Sequence, residues 1–281
     1  MRRKLTFLLL SVVSLSIITL YHSITLSDKN FHLIFCDVGQ GDGIFIRTPK
    51  GYDIVVDGGP GDYSMTDCLS RHLPFWDREI DAVYMTHPDA DHLTGLVEVV
   101  KTYNVKYFGM SNAPKSTAVY KDLLRSLRDK NIPADLVIRG DRISTSDGLK
   151  MQALWPTVQF SNSKSEETND YSLVQYLSFG KFKALLTGDV ASVYLNSIMP
   201  TTGLIDVFKP PHHGSKTGVD EFTFQHNKPQ LAVISAGAKN RYGHPSSEVL
   251  KVLKDNNIPY EDTRSGDVEI ISDGEKWWVK N

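Results

Sequence analysis

From residue 31 onward, short apolar runs alternate with amphipathic stretches. Residues 31–36, 43–47 and 53–56 are β-rich and separated by Gly and Pro turns, which predicts three successive strands. Residues 65–73 have helical spacing, 80–85 read as a strand, 93–100 open a helix, and 106–108 form another short strand. Residues 117–130 set Val119, Leu123, Leu124 and Leu127 on one helical face, and Ile132-Pro133 follows the end of that helix. In the second half, residues 151–154, 172–179, 183–186, 206–208 and 231–235 predict strands, while 193–198 and 246–256 predict helices. Residues 268–271 and 276–279 pair as a hairpin around Asp273-Gly274, and the polar run 161–170 is a loop able to overhang its neighbours. Periodicity alone establishes a mixed α and β chain.

The first thirty residues stand apart. Arg2-Arg3-Lys4 precedes an apolar run over residues 5–20 broken only by Thr and Ser, followed by a polar stretch ending Ser27-Asp28-Lys29-Asn30. A basic start and a short apolar segment predict a secretory signal or an uncleaved anchor, with the positive end kept inside. The expected organisation is therefore residues 1–30 as signal peptide or membrane anchor and 31–281 as one domain. The protein is expected outside the cytoplasm, secreted or attached to the outer face of the membrane.

Chemistry concentrates at strand ends. Thr86-His87-Pro88-Asp89-Ala90-Asp91-His92 follows an apolar strand and places four possible metal ligands within six residues. Alternate residues of extended chain share a face, so such a turn can aim His and Asp at two neighbouring ions, which would activate water near neutral pH. Leu185-Leu186-Thr187-Gly188-Asp189 ends a second strand in a carboxylate suited to bridging two metals. A third strand runs into Lys209-Pro210-Pro211-His212-His213-Gly214-Ser215, where only one of His212 and His213 need bind metal while the other meets substrate or acts as an acid. Upstream, Asp57 in Asp57-Gly58-Gly59 could hydrogen-bond a ligand from behind. Any one of these segments also suits a solvated loop; their order along the chain favours a site. His22, His32, His72 and His226 lack such surroundings and read as surface or packing residues.

Five segments resemble the hydrolase domain of the ComEC/Rec2 competence proteins, a metallo-β-lactamase fold: DVGQGDG at 37–43, DGG at 57–59, HPDADH at 87–92, TGD at 187–189 and PHHGS at 211–215. The segment GHPS at 243–246 is similar to that group's closing part. The resemblance implies a four-layer αββα sandwich and two divalent metal ions, Zn2+ or Mn2+. His87 and Asp89 would hold one ion, Asp91, His92 and His212 or His213 the other, with Asp189 between them. It further implies catalytic roles for Asp91, His212 and His244, and places Asn169 where relatives carry a third histidine. Asp89 replaces the second histidine of the common HxHxDH pattern, an oxygen-rich substitution that tilts preference toward harder ions.

Net charge is −2 and the sequence pI about 6.5, so a general cationic field for nucleic acid is excluded and any contact must be local. Lys209, Lys216, Lys239 and Arg241 flank the histidine loops and are candidates to meet phosphates. Cys36 and Cys68 are the only cysteines, too few and scattered for a zinc site; a disulfide is permitted by an exported location. The expected function is hydrolysis of phosphodiesters, DNA foremost, in uptake or extracellular degradation. A phosphocholine esterase, a lactonase and a noncatalytic metal-stabilised binding module are the alternatives. No protein partner is implied.

Overall fold

The computed structural model describes every residue except Met1, Ser27, Lys164 and Asn281; the side chains of Arg2, Arg3, Leu5 and His22 through Leu26 also lie outside the described residues. Among those described, two large sheets carry the chain. The first orders eight strands as β17 (Trp277–Val279), β16 (Val268–Ser272), β1 (Phe31–Phe35), β2 (Gly43–Arg47), β3 (Asp53–Gly58), β5 (Ala82–Met85), β7 (Phe108–Met110) and β8 (Ala134–Leu136). The second orders seven as β15 (Tyr260–Asp262), β14 (Leu231–Ile234), β13 (Val207–Phe208), β12 (Phe182–Leu186), β11 (Val174–Phe179), β10 (Leu149–Trp155) and β9 (Arg142–Ser144). A small pair joins β4 (Glu79–Ile80) to β6 (Asn104–Val105).

Side chains alternate across a strand, so one strand feeds two cores. Leu33, Ile44, Ile46, Ile54 and Val56 face inward and pack with Leu149, Met151, Ala184 and Leu186 of the second sheet. Their neighbours Ile34, Phe45, Val55 and Val83 face outward onto α2 (Ser64–His72), α3 (Ala90–Thr102) and α4 (Ala118–Asp129). On the far side Leu185, Phe208, Ala232 and Ile234 are covered by α6 (Ser192–Ile198) and α7 (Ser247–Asp255). Strands buried on both faces explain the nearly continuous apolar runs at 82–85 and 231–234. The result is the αββα sandwich.

Parallel pairing joins β3 to β5, β5 to β7 and β7 to β8 in the first sheet, and β12 to β13, β13 to β14 and β14 to β15 in the second, so it runs from the middle of each sheet to one edge. Their carboxyl ends carry the Asp57, His87 to His92, Asp189, His212-His213 and Ser235 loops. Loops after parallel strands therefore meet on one rim, the usual place for a site in such sheets.

Several local expectations change. The strand expected over 80–85 breaks at Asp81, whose amide donates to the Asp53 carbonyl at 2.8 Å and whose carboxylate accepts from the Asp53 amide at 2.9 Å. The loop expected over 161–170 begins in the short helix α5 (Val158–Ser161) and ends in a 3-10 turn at Thr168–Tyr171. Cys36 and Cys68 form a disulfide with 5.9 Å between their Cα atoms, tying the end of β1 to α2. His32 sits between Glu269 and Asp28, both at 2.7 Å, and His72 lies 3.0 Å from Asp267. α1 (Arg2–Leu26) precedes the sandwich and exposes Phe7, Leu8, Leu9, Leu10, Leu15 and Ile17. No helix among the described residues is long and apolar enough to cross a membrane.

Candidate metal centre

The turn after β5 delivers His87 and, across the first turn of α3, Asp91 and His92. Two close approaches hold this turn in place. A Cβ on Gly95 would lie 1.8 Å from the Gly58 carbonyl oxygen, and one on Gly41 would lie 2.2 Å from that of Asp91. Only glycine lets α3 lie on the end of β3 while the 37–43 loop seals the other side.

Asp57 closes β3 in a left-handed conformation, φ 58°, and is fully buried. Its carboxylate accepts from the Thr86 amide at 2.7 Å, the Thr86 hydroxyl at 2.6 Å and His92 Nδ1 at 2.8 Å. Because the Thr86 proton is spent on Asp57, its oxygen accepts from His87 Nδ1 at 3.0 Å. One carboxylate thereby fixes the tautomer of two histidines and turns both Nε2 atoms away from itself. His213 reaches the same state separately: its Nδ1 donates to the Ser235 carbonyl at 3.1 Å, an oxygen that can only accept.

The three Nε2 atoms converge on Asp189. His92 Nε2 lies 3.2 Å and His213 Nε2 3.4 Å from Asp189 Oδ2, and His213 Nε2 also lies 3.4 Å from Asp91 Oδ2. Ligand atoms of His87, His92 and Asp189, and of Asp91, His92 and His213, lie within 4.8 Å of one another. His87 Nε2, His92 Nε2, His213 Nε2, Asp189 Oδ1 and Asp42 Oδ1 are buried without hydrogen-bond partners. Such atoms are costly to bury unmatched, and five together fit cations and not a packed core.

Electrostatics lead the same way. Burial and the neighbouring His92 push the His87 imidazole down to about 3, keeping it neutral. Burial would lower His92 and His213 as well, yet Asp189 and Asp57 around the first, and Asp189, Asp42 and Asp91 around the second, raise both well above the ordinary histidine value. Asp189 is held well below the carboxylate range: desolvation opposes this, and His213 and His92 overcome it. Protons on these imidazoles occupy the positions that divalent cations compete for, so metal binding here releases protons.

The remaining candidates lie around this cluster. His212, His213 and Gly214 are all left-handed, φ 53°, 55° and 76°, which turns the two adjacent imidazoles apart. His213 is buried in the cluster, whereas His212 stands half-buried at the mouth with Nε2 4.0 Å from Asp189 and Nδ1 3.4 Å from the Asn169 amide. Asp89 lies outside the convergent groups; its Oδ1 accepts from Lys115 at 2.7 Å and Thr168 at 2.6 Å. The His244 ring is 5.7 Å from that of His212 and 6.4 Å from that of His213.

Lys209 corrects an expectation. It does not face phosphates: it is fully buried, with Nζ 2.5 Å from Asp42 Oδ2 and donating to the Gly188 carbonyl at 3.0 Å. Lys216, Lys239 and Arg241 are exposed. Asp42 was legible only as part of DVGQGDG, with nothing local to mark it as part of this cluster. Ser172, which accepts from the Asp189 amide at 3.0 Å and lies 3.2 Å from His87 Nδ1, carries no sequence signal at all.

Residues 36–160 match the model of the Metallo-beta-lactamase superfamily. The chain is 30% identical over 240 residues to ComE operon protein 3 of Bacillus subtilis, covering 79% of this chain and 30% of that protein. It is 29% identical over 250 residues to Recombination protein 2 of Haemophilus influenzae, covering 87% of this chain and 29% of the relative. The chain thus spans under a third of either relative's length. Among solved structures, the metallo-β-lactamase fold protein YhfI from Bacillus subtilis superposes with a TM-score of 0.54 at 9% identity, over 89% of this chain and all of that one. The chain therefore carries a metallo-β-lactamase domain, resembling part of ComE operon protein 3 and of Recombination protein 2.

Proposed function

We propose that this chain is an exported hydrolase that uses two divalent metal ions, Zn2+ or Mn2+, to cleave phosphodiesters, DNA in particular. The observation that carries this reading is the grouping of His87, His92, Asp91, His213 and Asp189, with the three Nε2 atoms and Asp189 Oδ1 buried without hydrogen-bond partners. His87 would hold one ion, Asp91, His92 and His213 the other, and Asp189 would stand between, while Asp89, engaged by Lys115 and Thr168, is left out of the ligand set. Bound there, the ions supply Lewis acidity and an activated water at neutral pH.

The chain's own residues do the rest. Asp57 and Thr86 orient two imidazoles, and Ser235 orients the third. His212, half-exposed beside Asp189, is placed to give a proton to the oxygen that leaves phosphorus as the P–O bond breaks. Asn169 holds its ring from the Nδ1 side. Support for a DNA substrate comes from the name Recombination protein 2. Support for export comes from the basic, apolar α1 and from a disulfide, which persists in oxidising compartments.

Elemental analysis of purified protein, coupled to turnover of labelled single-stranded DNA with added manganese or zinc, tests the reading. Two ions per chain and cleavage abolished by a chelator are expected. Asp189→Asn should lose on the order of 100-fold or more in turnover with unchanged circular dichroism, since strands and not ions assemble the core. Full activity in that variant would refute the bridging role. Turnover of a phosphocholine ester or a β-lactam but not DNA would reassign the substrate, and no turnover by a metal-loaded chain would leave a binding module.

A further inference from the structure

An aromatic strip leads from solvent to the candidate centre. Tyr242 is 56% exposed, so a large part of its ring is open. Its ring stacks on that of His244, with centroids 5.7 Å apart and planes inclined by 22°. His244 in turn lies 5.7 Å from His212 and 6.4 Å from His213. Arg241 donates to the Tyr242 hydroxyl at 3.1 Å, and its exposed guanidinium lies over the ring, 5.1 Å from the centre, so a base stacking on that face shares it with, or displaces, this cation. Asn240 fixes the base of this loop: its side chain donates to the His244 carbonyl at 2.7 Å and accepts from the His244 amide at 2.8 Å. An exposed phenol with a guanidinium over it thus stands at the mouth of the candidate centre, and both residues face solvent.

We propose that Tyr242, backed by His244 and flanked by Arg241, is a stacking platform for an unpaired nucleobase of the substrate. The proposal rests on the phosphodiesterase reading and names what lies beside the scissile phosphate. A base laid on the phenol places its own phosphate within reach of Arg241 and directs the backbone toward His212. A paired base has both faces covered by its neighbours in the stack, so the platform selects single strands or frayed ends. Stacking is tolerant of base identity, since every base offers a π face.

The test compares binding of fluorescein-labelled oligothymidylate with that of an abasic oligomer of equal length and charge, by anisotropy in chelator so that nothing is cleaved. Wild-type protein is expected to prefer the base-bearing strand by about 5- to 150-fold, the span of one stacked base. Tyr242→Ala should bring that ratio toward one, and Tyr242→Phe should keep it, which separates loss of the ring from loss of the loop. Equal binding of the two oligomers by wild type, or an undiminished ratio in Tyr242→Ala, would overturn the platform. A ratio that behaves as expected in a protein that cleaves no phosphodiester would sink only the hydrolytic reading.

Discussion

Replacing Lys209 by methionine separates two roles that the sequence alone leaves mixed. Lys209 stands three residues before the His212-His213 pair, where a phosphate contact is the natural expectation, yet both its side chain and that of Asp42 are sealed from solvent at 2.5 Å. Lys209→Met removes the ammonium and leaves a buried carboxylate that also shares its pocket with His213 and His92. Breaking one partner of a buried pair costs about 3–5 kcal/mol. In a domain of this size that lowers Tm by roughly 6–10 °C. Asp42→Asn in the same chain should recover a good part of the loss, because no uncompensated charge then remains.

The pH dependence has a fixed sign. Burial works to raise the Asp42 carboxyl, but Lys209, His213 and His92 hold it below the ordinary carboxylate value. A group depressed in the folded state contributes stability above its unfolded pKa and loses it as pH falls through the folded one. The stability difference between wild type and Lys209→Met should therefore be full near neutrality and shrink in acid. Thermal unfolding at several pH values, alongside steady-state kinetics, measures both. If Lys209→Met keeps its Tm and instead raises KM for a phosphodiester, Lys209 serves the substrate and the buried pair is not what holds these loops together.

Two other perturbations follow from the same geometry. Asp57→Asn presents an amide donor to either His92 Nδ1 or the Thr86 hydroxyl, upsetting a tautomer that directs Nε2 inward; metal affinity should fall about 10- to 100-fold by competitive chelator titration, and an unchanged affinity would refute the orienting role. Burial works to raise the Asp267 carboxyl, but His72, the Asp37 amide and Arg71 bring it down to about 2. Its stabilising effect is thus present above about 4 and lost as pH falls toward 2, so Asp267→Asn should flatten the urea midpoint against pH across that window.

What was legible in the sequence was whatever a local pattern could carry. Residues 43–47 form the expected strand to the residue, because alternate positions feed two cores and the run is bounded by turns. The edge strands β8, β9 and β15 were not foreseen. Their residues are largely exposed, so no alternation of apolar and polar positions marks them. The metal turn was legible for the opposite reason: His87, Asp91 and His92 are close along the chain, and their spacing is itself the chemistry.

The parts of the centre that escaped notice are those made by tertiary approach. Lys209 and Asp42 belong to loops on opposite sheets, β13 and β2, and neither sequence neighbourhood announces the other. Ser172 reaches both His87 and the Asp189 amide only because the chain entering β11 passes beneath the 86–92 turn, where the Leu173 amide donates to the Thr86 carbonyl at 3.0 Å. These contacts have a common physical purpose. A site with Asp42, Asp57, Asp91 and Asp189 around three imidazoles repels itself unless each carboxylate is assigned a donor or a cation. Asp42 has Lys209 and Asp57 has Thr86 and His92, whereas buried Asp189 faces the Nε2 atoms of His92 and His213 and part-exposed Asp91 faces that of His213. The two carboxylates that have no lysine or hydroxyl partner are thus the two that face the histidine Nε2 atoms, so the charge they carry lies where cations would bind.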